Sequence, residues 1–115
     1  MKTIKEVLAS KRISYSVTAH KEHRFETTFD LSDTVILRIT TLRGYNKKVI
    51  TYASTNKLEN GMLIHRMGDD FSKQYEVIYP ARCTKKFVED QHALVNEVSV
   101  ITDCINWYEV RGYQL

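Results

Sequence analysis

The chain has 115 residues, 43% of them apolar and 27% charged, with one proline and four glycines. That length carries one folded domain spanning 1–115, with a core that needs neither metal nor disulfide, and the scarcity of proline and glycine excludes a disordered linker. The net charge of +3 is uneven, with eleven Lys/Arg against five Asp/Glu in residues 1–57 and six against nine in residues 58–115, a layout that can turn a positive face to an anionic partner.

Thr3 and Glu6 stand at capping-box spacing, and Ile4, Val7 and Leu8 share one face, which predicts a short helix over 3–11. Ile13, Tyr15, Val17 and Ala19 then alternate with polar residues as a first strand, and 20–23 is a turn. Phe25, Thr27 and Phe29 predict a second strand. Residues 34–42 predict a third, with Val35, Leu37 and Ile39 on one face and Ile36, Arg38 and Leu42 on the other. Gly44 and Asn46 suit a hairpin loop over 43–47, after which 48–54 returns as a fourth strand. The stretch 55–61 reads as a loop ending in the turn dipeptide Asn60-Gly61, followed by a fifth strand over 62–67 and a turn at 68–70. Phe71, Tyr75, Val77 and Tyr79 line a sixth strand, which Pro80 ends.

From Thr84 the period changes to three and four. Phe87, Gln91, Leu94, Val98, Ile101 and Ile105 make one stripe of a single helix about 20 residues long, and this is preferred over a helix ending near Asn96 followed by a hairpin over 98–110. Trp107, Tyr108, Val110 and Tyr113 form an aromatic tail expected to fold back onto the core. The expected architecture is α+β: a short N-terminal helix, a five- or six-stranded antiparallel meander, and a long C-terminal helix packed on one sheet face.

No run reaches the roughly 20 apolar residues of a membrane helix, and Met1–Leu8 lacks the apolar stretch of a signal peptide. The expected location is therefore cytoplasmic, without a membrane partner and with Cys83 and Cys104 reduced. On a continuous helix those two thiols stand about 30 Å apart, too far for a bridge.

The best candidate site is the hairpin 43–48. Arg43, Lys47 and Lys48 put cations on a protruding loop that neutralise phosphates or carboxylates, and Tyr45 offers a face for stacking on a base. Arg12, Arg24 and Arg38 extend the positive ground across the sheet. The seven tyrosines include candidate interface anchors, although strand propensity accounts for most of them. His20 and His23 supply at most two metal ligands, so no metal is expected, and no glycine loop cradles a phosphate cofactor. Cys83 becomes a nucleophile only if His65 or His92 lies beside it in space. Glu89, Asp90, His92 and Glu97 read as the solvated face of the long helix.

The leading expectation is a non-enzymatic binding module that engages a large anionic partner, a nucleic acid or nucleoprotein complex, through the basic hairpin and sheet face. The alternatives are a phage- or mobile-element-encoded inhibitor that binds a host defence enzyme, and a small enzyme with a spatially assembled Cys/His site. An exposed edge strand or the aromatic tail offers a route to a homodimer.

Overall fold

The computed structural model describes residues 2–44, 48–64, 71–78 and 84–115. Helix α1 (Ile4–Ala9) opens with the expected capping box: the Glu6 amide donates to Thr3 Oγ1 while Glu6 Oε1 accepts from the Thr3 amide. Six strands follow: β1 (Arg12–Val17), β2 (His23–Asp30), β3 (Val35–Arg43), β4 (Lys48–Glu59), β5 (Met62–Ile64) and β6 (Ser72–Ile78). They form one antiparallel sheet with β1 to β5 in sequential order. Asn60 and Gly61 both take positive φ (51° and 79°) in the two-residue turn that joins β4 to β5, the conformation that such a hairpin demands.

Two details differ from the expected meander. Residues 55–59, read as loop, prolong β4 to Glu59. Thr55 supplies the reason: it faces Leu37 across the ladder, is 2% exposed, and binds the Tyr108 hydroxyl at 2.8 Å and the Phe71 amide at 2.9 Å. Strand β6 pairs with β4, beside residues 48–54, instead of following β5. The expected extension of the fifth strand to 67 and the turn at 68–70 lie outside the described residues.

The single long helix is also corrected. Residues Lys85–Ala93 form α2 and Glu97–Val110 form α3. Asn96 ends the continuity: its backbone is extended (φ −78°, ψ 98°) and its side chain accepts from the Ser99 amide at 3.0 Å, so it starts a new helix with Glu97 in the first turn. The stripe therefore does not run through. Leu94 is 78% exposed, whereas Val100, Ile101, Cys104 and Tyr108 are the buried residues of α3. The 30 Å cysteine spacing fails with the continuous helix, and Cys83 lies outside the described residues. In the tail, Tyr113 returns to Trp107 and Tyr108 with ring centroids 5.8 and 6.1 Å away, while Val110 points out, 83% exposed.

Strand side chains alternate between the two faces, and all three helices serve one of them. Phe29, Leu37, Ile39 and Ala53 of the sheet pack with Val7 of α1 and Val100, Ile101, Cys104 and Tyr108 of α3. Each large apolar side chain buried here contributes about 1.5–3 kcal/mol. Lys11 and Glu97 join α3 to the end of α1 at 2.7 Å.

Candidate functional site

His92 departs from the solvated helix face that the sequence suggests. It lies on the sheet-facing side of α2, 7% exposed, with Nε2 2.6 Å from Thr27 Oγ1 and Nδ1 2.8 Å from Thr41 Oγ1, and Thr41 continues to Thr51 at 2.9 Å. Phe25 meets the ring edge-on at 5.0 Å between centroids. Burial pushes the His92 pKa down to about 4, Glu97 opposing the shift and Lys11 adding to it. A neutral ring with both nitrogens bonded to hydroxyls is a satisfied core group. Burial likewise lifts the Cys104 thiol to about 12, far from a reactive thiolate. Cys83 and His65, the other members of the conceived Cys/His site, lie outside the described residues. Glu89 and Asp90 are exposed as expected, and His23 binds the Tyr15 hydroxyl through Nδ1 at 2.6 Å. Among the described residues, no three His, Cys, Asp or Glu side chains gather as a metal site.

The face of the sheet turned away from the helices holds most of the predicted cations. The register lays them out in rows. One row runs Ser16, Arg24, Leu42, Ile50, Glu76; the next runs Ser14, Glu26, Thr40, Tyr52, Gln74; a third runs Arg12, Thr28, Arg38, Ser54, Ser72. Lys48 enters the same face at the hairpin base, where its carbonyl accepts from the Gly44 amide at 3.0 Å. Arg43 does not share this face: it pairs with Val49, which is 1% exposed on the helix side. Tyr45 and Lys47 lie outside the described residues.

The cations of this outer face have carboxylates beside them. Arg12 grips Asp30 with two bonds of 3.1 and 2.8 Å, which draws the Asp30 pKa below its ordinary value and raises that of Arg12. Arg24 reaches Glu26 at 3.1 Å and Glu22 at 4.0 Å. Arg38 Nε stands 3.7 Å from Glu26, and Lys48 binds Glu76 at 2.9 Å. The ground is thus a lattice of alternating signs. Exposed pairs of this kind contribute only about 0–1 kcal/mol each, but they set the pattern of the potential.

Sequence reasoning did not single out the middle of the face. Leu42 and Ile50 face each other across β3 and β4 with Tyr52 beside them, all half-buried. Thr40 is fully buried by its neighbours, and its hydroxyl has no hydrogen-bond partner among the described residues; Arg38 Nε has none within bonding distance either. The signal was available in the parity of the third strand, where Arg38 and Leu42 fall opposite Leu37 and Ile39. Comparison with protein-family models, characterised proteins and solved structures finds no match to this chain.

Proposed function

We propose that this chain is a non-enzymatic binding module that docks a folded protein through the outer face of its sheet. The observation that carries this reading is the centre of that face. An apolar pair, Leu42 and Ile50, and the ring of Tyr52 are bordered by Arg24, Glu26 and Arg38 in alternating sign. Tyrosine and arginine around an apolar centre make the composition of a protein interface. A polyanion would have to approach Glu22, Glu26, Asp30 and Glu76 together with the cations, whereas a protein surface can match both signs. An inhibitor that covers the surface of an enzyme, such as a host defence enzyme, uses a face of this kind without chemistry of its own.

The second reading is the anionic partner, a nucleic acid or nucleoprotein complex. It is favoured by the basic hairpin segment 43–48 and the net charge of +3. One experiment separates the two. Binding of a labelled oligonucleotide is measured across salt for the wild type and for the triple variant Arg43→Ala, Lys47→Ala, Lys48→Ala. In parallel, proteins captured by the wild type are compared with those captured by Leu42→Asp and Tyr52→Ala. The protein-docking reading expects a partner lost with the face variants, and oligonucleotide binding no tighter than the roughly 10⁻⁴–10⁻⁶ M of non-specific contact. Tighter binding with a steep salt slope that the hairpin alanines flatten would replace it with the nucleic-acid reading.

A further inference from the structure

Strand β1 ends the sheet order, and among the described residues nothing pairs with its outer side. Its hydrogen-bonding phase is set at the turn that follows. The Thr18 amide donates to the Glu22 carbonyl at 3.0 Å, and antiparallel pairs alternate between bonded and non-bonded. Ser16–Arg24, Ser14–Glu26 and Arg12–Thr28 are therefore the bonded pairs of the β1–β2 ladder. Ile13, Tyr15 and Val17 turn both of their backbone groups outward. Their side chains share the helix side of the sheet, where Ile13 is 56% and Val17 50% exposed. Within residues 13–17 the edge has no proline, no bulge and no charged side chain of its own, although Lys85 of α2 places its Nζ 5.0 Å from the Tyr15 ring centroid.

This segment is complementary to itself. We infer that two copies of the chain pair through β1, antiparallel and centred on Tyr15, to make one continuous sheet across a twofold axis. In that register Ile13 faces the partner's Val17 and Tyr15 faces the partner's Tyr15, so all three outward residues exchange two backbone hydrogen bonds each with their counterparts. On the outer face Ser14 meets the partner's Ser16 and Arg12 meets the partner's Thr18, so no like charges are opposed. Shifting the register by two residues in either direction leaves only two of the three bonded pairs within the strands, setting Val17 against the partner's Lys11 one way and Ile13 against the partner's Ala19 the other. The helices leave room. Helix α2 packs over β2 and β3, so at roughly 4.8 Å per strand its axis and that of its copy stand about 19 Å apart, against the 8–10 Å at which helices collide. The gap between them holds Ile13, Tyr15 and Val17 from both copies together with the Lys85 side chain of each, which lies over its own Tyr15 ring and keeps its charge toward solvent in a weak, salt-sensitive contact. One short strand from each side buries less than the roughly 1,200 Å² of a tight interface, so the dimer is a weak one that forms as concentration rises.

The test is sedimentation equilibrium over a wide concentration range, with amide hydrogen exchange at both ends of it. The wild type is expected to climb toward twice its 13.5 kDa mass, with the amides of Ile13, Tyr15 and Val17 gaining protection as it does. Val17→Pro removes one outward donor at a position where an edge strand tolerates proline, and Ile13→Lys places a charge at the seam. Both are expected to stay monomeric with an unchanged circular dichroism spectrum, whereas Tyr52→Ala, on the outer face, is expected to dimerise like the wild type. A wild type that remains monomeric at its highest concentration overturns the inference. So does a dimer that persists in both edge variants, or one whose protection falls on other strands. Loss of dimer in Tyr52→Ala alone would place the contact on the outer face and overturn it as well.

Discussion

Acid should loosen this fold through one imidazole. The unfolded chain binds a proton at His92 near pH 6.5, while the folded chain does so only near pH 4, because burial penalises the charged ring. The unfolded state therefore holds more protons between these values. The contribution of neutral His92 is whole above pH 6.5 and is lost as the pH falls from there toward 4. Each tenfold difference in proton affinity between the two states is worth about 1.4 kcal/mol, so the loss relative to pH 8 is about 2 kcal/mol at pH 5 and about 3 kcal/mol when the ring is fully charged in both states. Asp30 works in the same direction but in a lower window: its depressed pKa adds stability above the ordinary value of 3.8, which is lost as the pH falls below it. The range from pH 8 to pH 5 thus isolates the histidine from that pair. Urea unfolding followed by the fluorescence of Trp107, the only tryptophan, measures the effect in the wild type and in His92→Asn. The wild type should lose about 2 kcal/mol more than the variant across this range. Parallel stability curves for the two chains would refute the argument that the buried ring resists its proton.

Asn96→Ala should cost about 1 kcal/mol in chemical denaturation, because the first turn of α3 loses the acceptor for the Ser99 amide. Tyr108→Phe should cost about 1–1.5 kcal/mol, since it removes the hydroxyl bonded to buried Thr55, and differential scanning calorimetry will show it as a lower Tm. Arg12→Ala, by contrast, breaks a pair whose arginine side chain is half-exposed and should cost under about 1 kcal/mol, read in the same denaturation assay. Cys104 should escape alkylation in the native protein and react only on unfolding, as peptide mapping by mass spectrometry will show, because its thiol is buried and held at a pKa of about 12.

The elements most legible in the sequence are those whose information is local. Period-two alternation locates the strands, Thr3 and Glu6 announce the first helix, and Asn60-Gly61 announces its turn. The misread elements depend on partners far away in the chain. Thr55 to Glu59 carry loop-like residues but extend a strand because Tyr108, more than 50 residues later, takes up the Thr55 hydroxyl. The apolar residues on both sides of Asn96 imitate one stripe, and the capping asparagine is the local sign against it. His92 resembles any polar helix residue until the register brings Thr27 and Thr41 beneath it. The basic ground suffers from the same blindness. Charges can be counted along the chain, but the assignment of Arg43 to one face and Arg38 to the other is a matter of parity. The grip of Asp30 on Arg12 is a matter of which strand lies next door.

Strand β4 has a consequence for how the molecule comes apart. Its inner side is bound along nearly its whole length to β3, while its outer side is divided between β5 and β6. It is the spine from which two separate ribs hang. Among the described residues β6 is fastened to the sheet by that one seam and to α3 by the exposed Lys73–Asp103 pair at 3.2 Å, and its side chains from Ser72 to Val77 are exposed. Thermal fluctuations will therefore unzip β6 as a unit well before they disturb the β2–β3–β4 slab behind it, and doing so uncovers the rim of Thr51 and Ala53 without dismantling the rest.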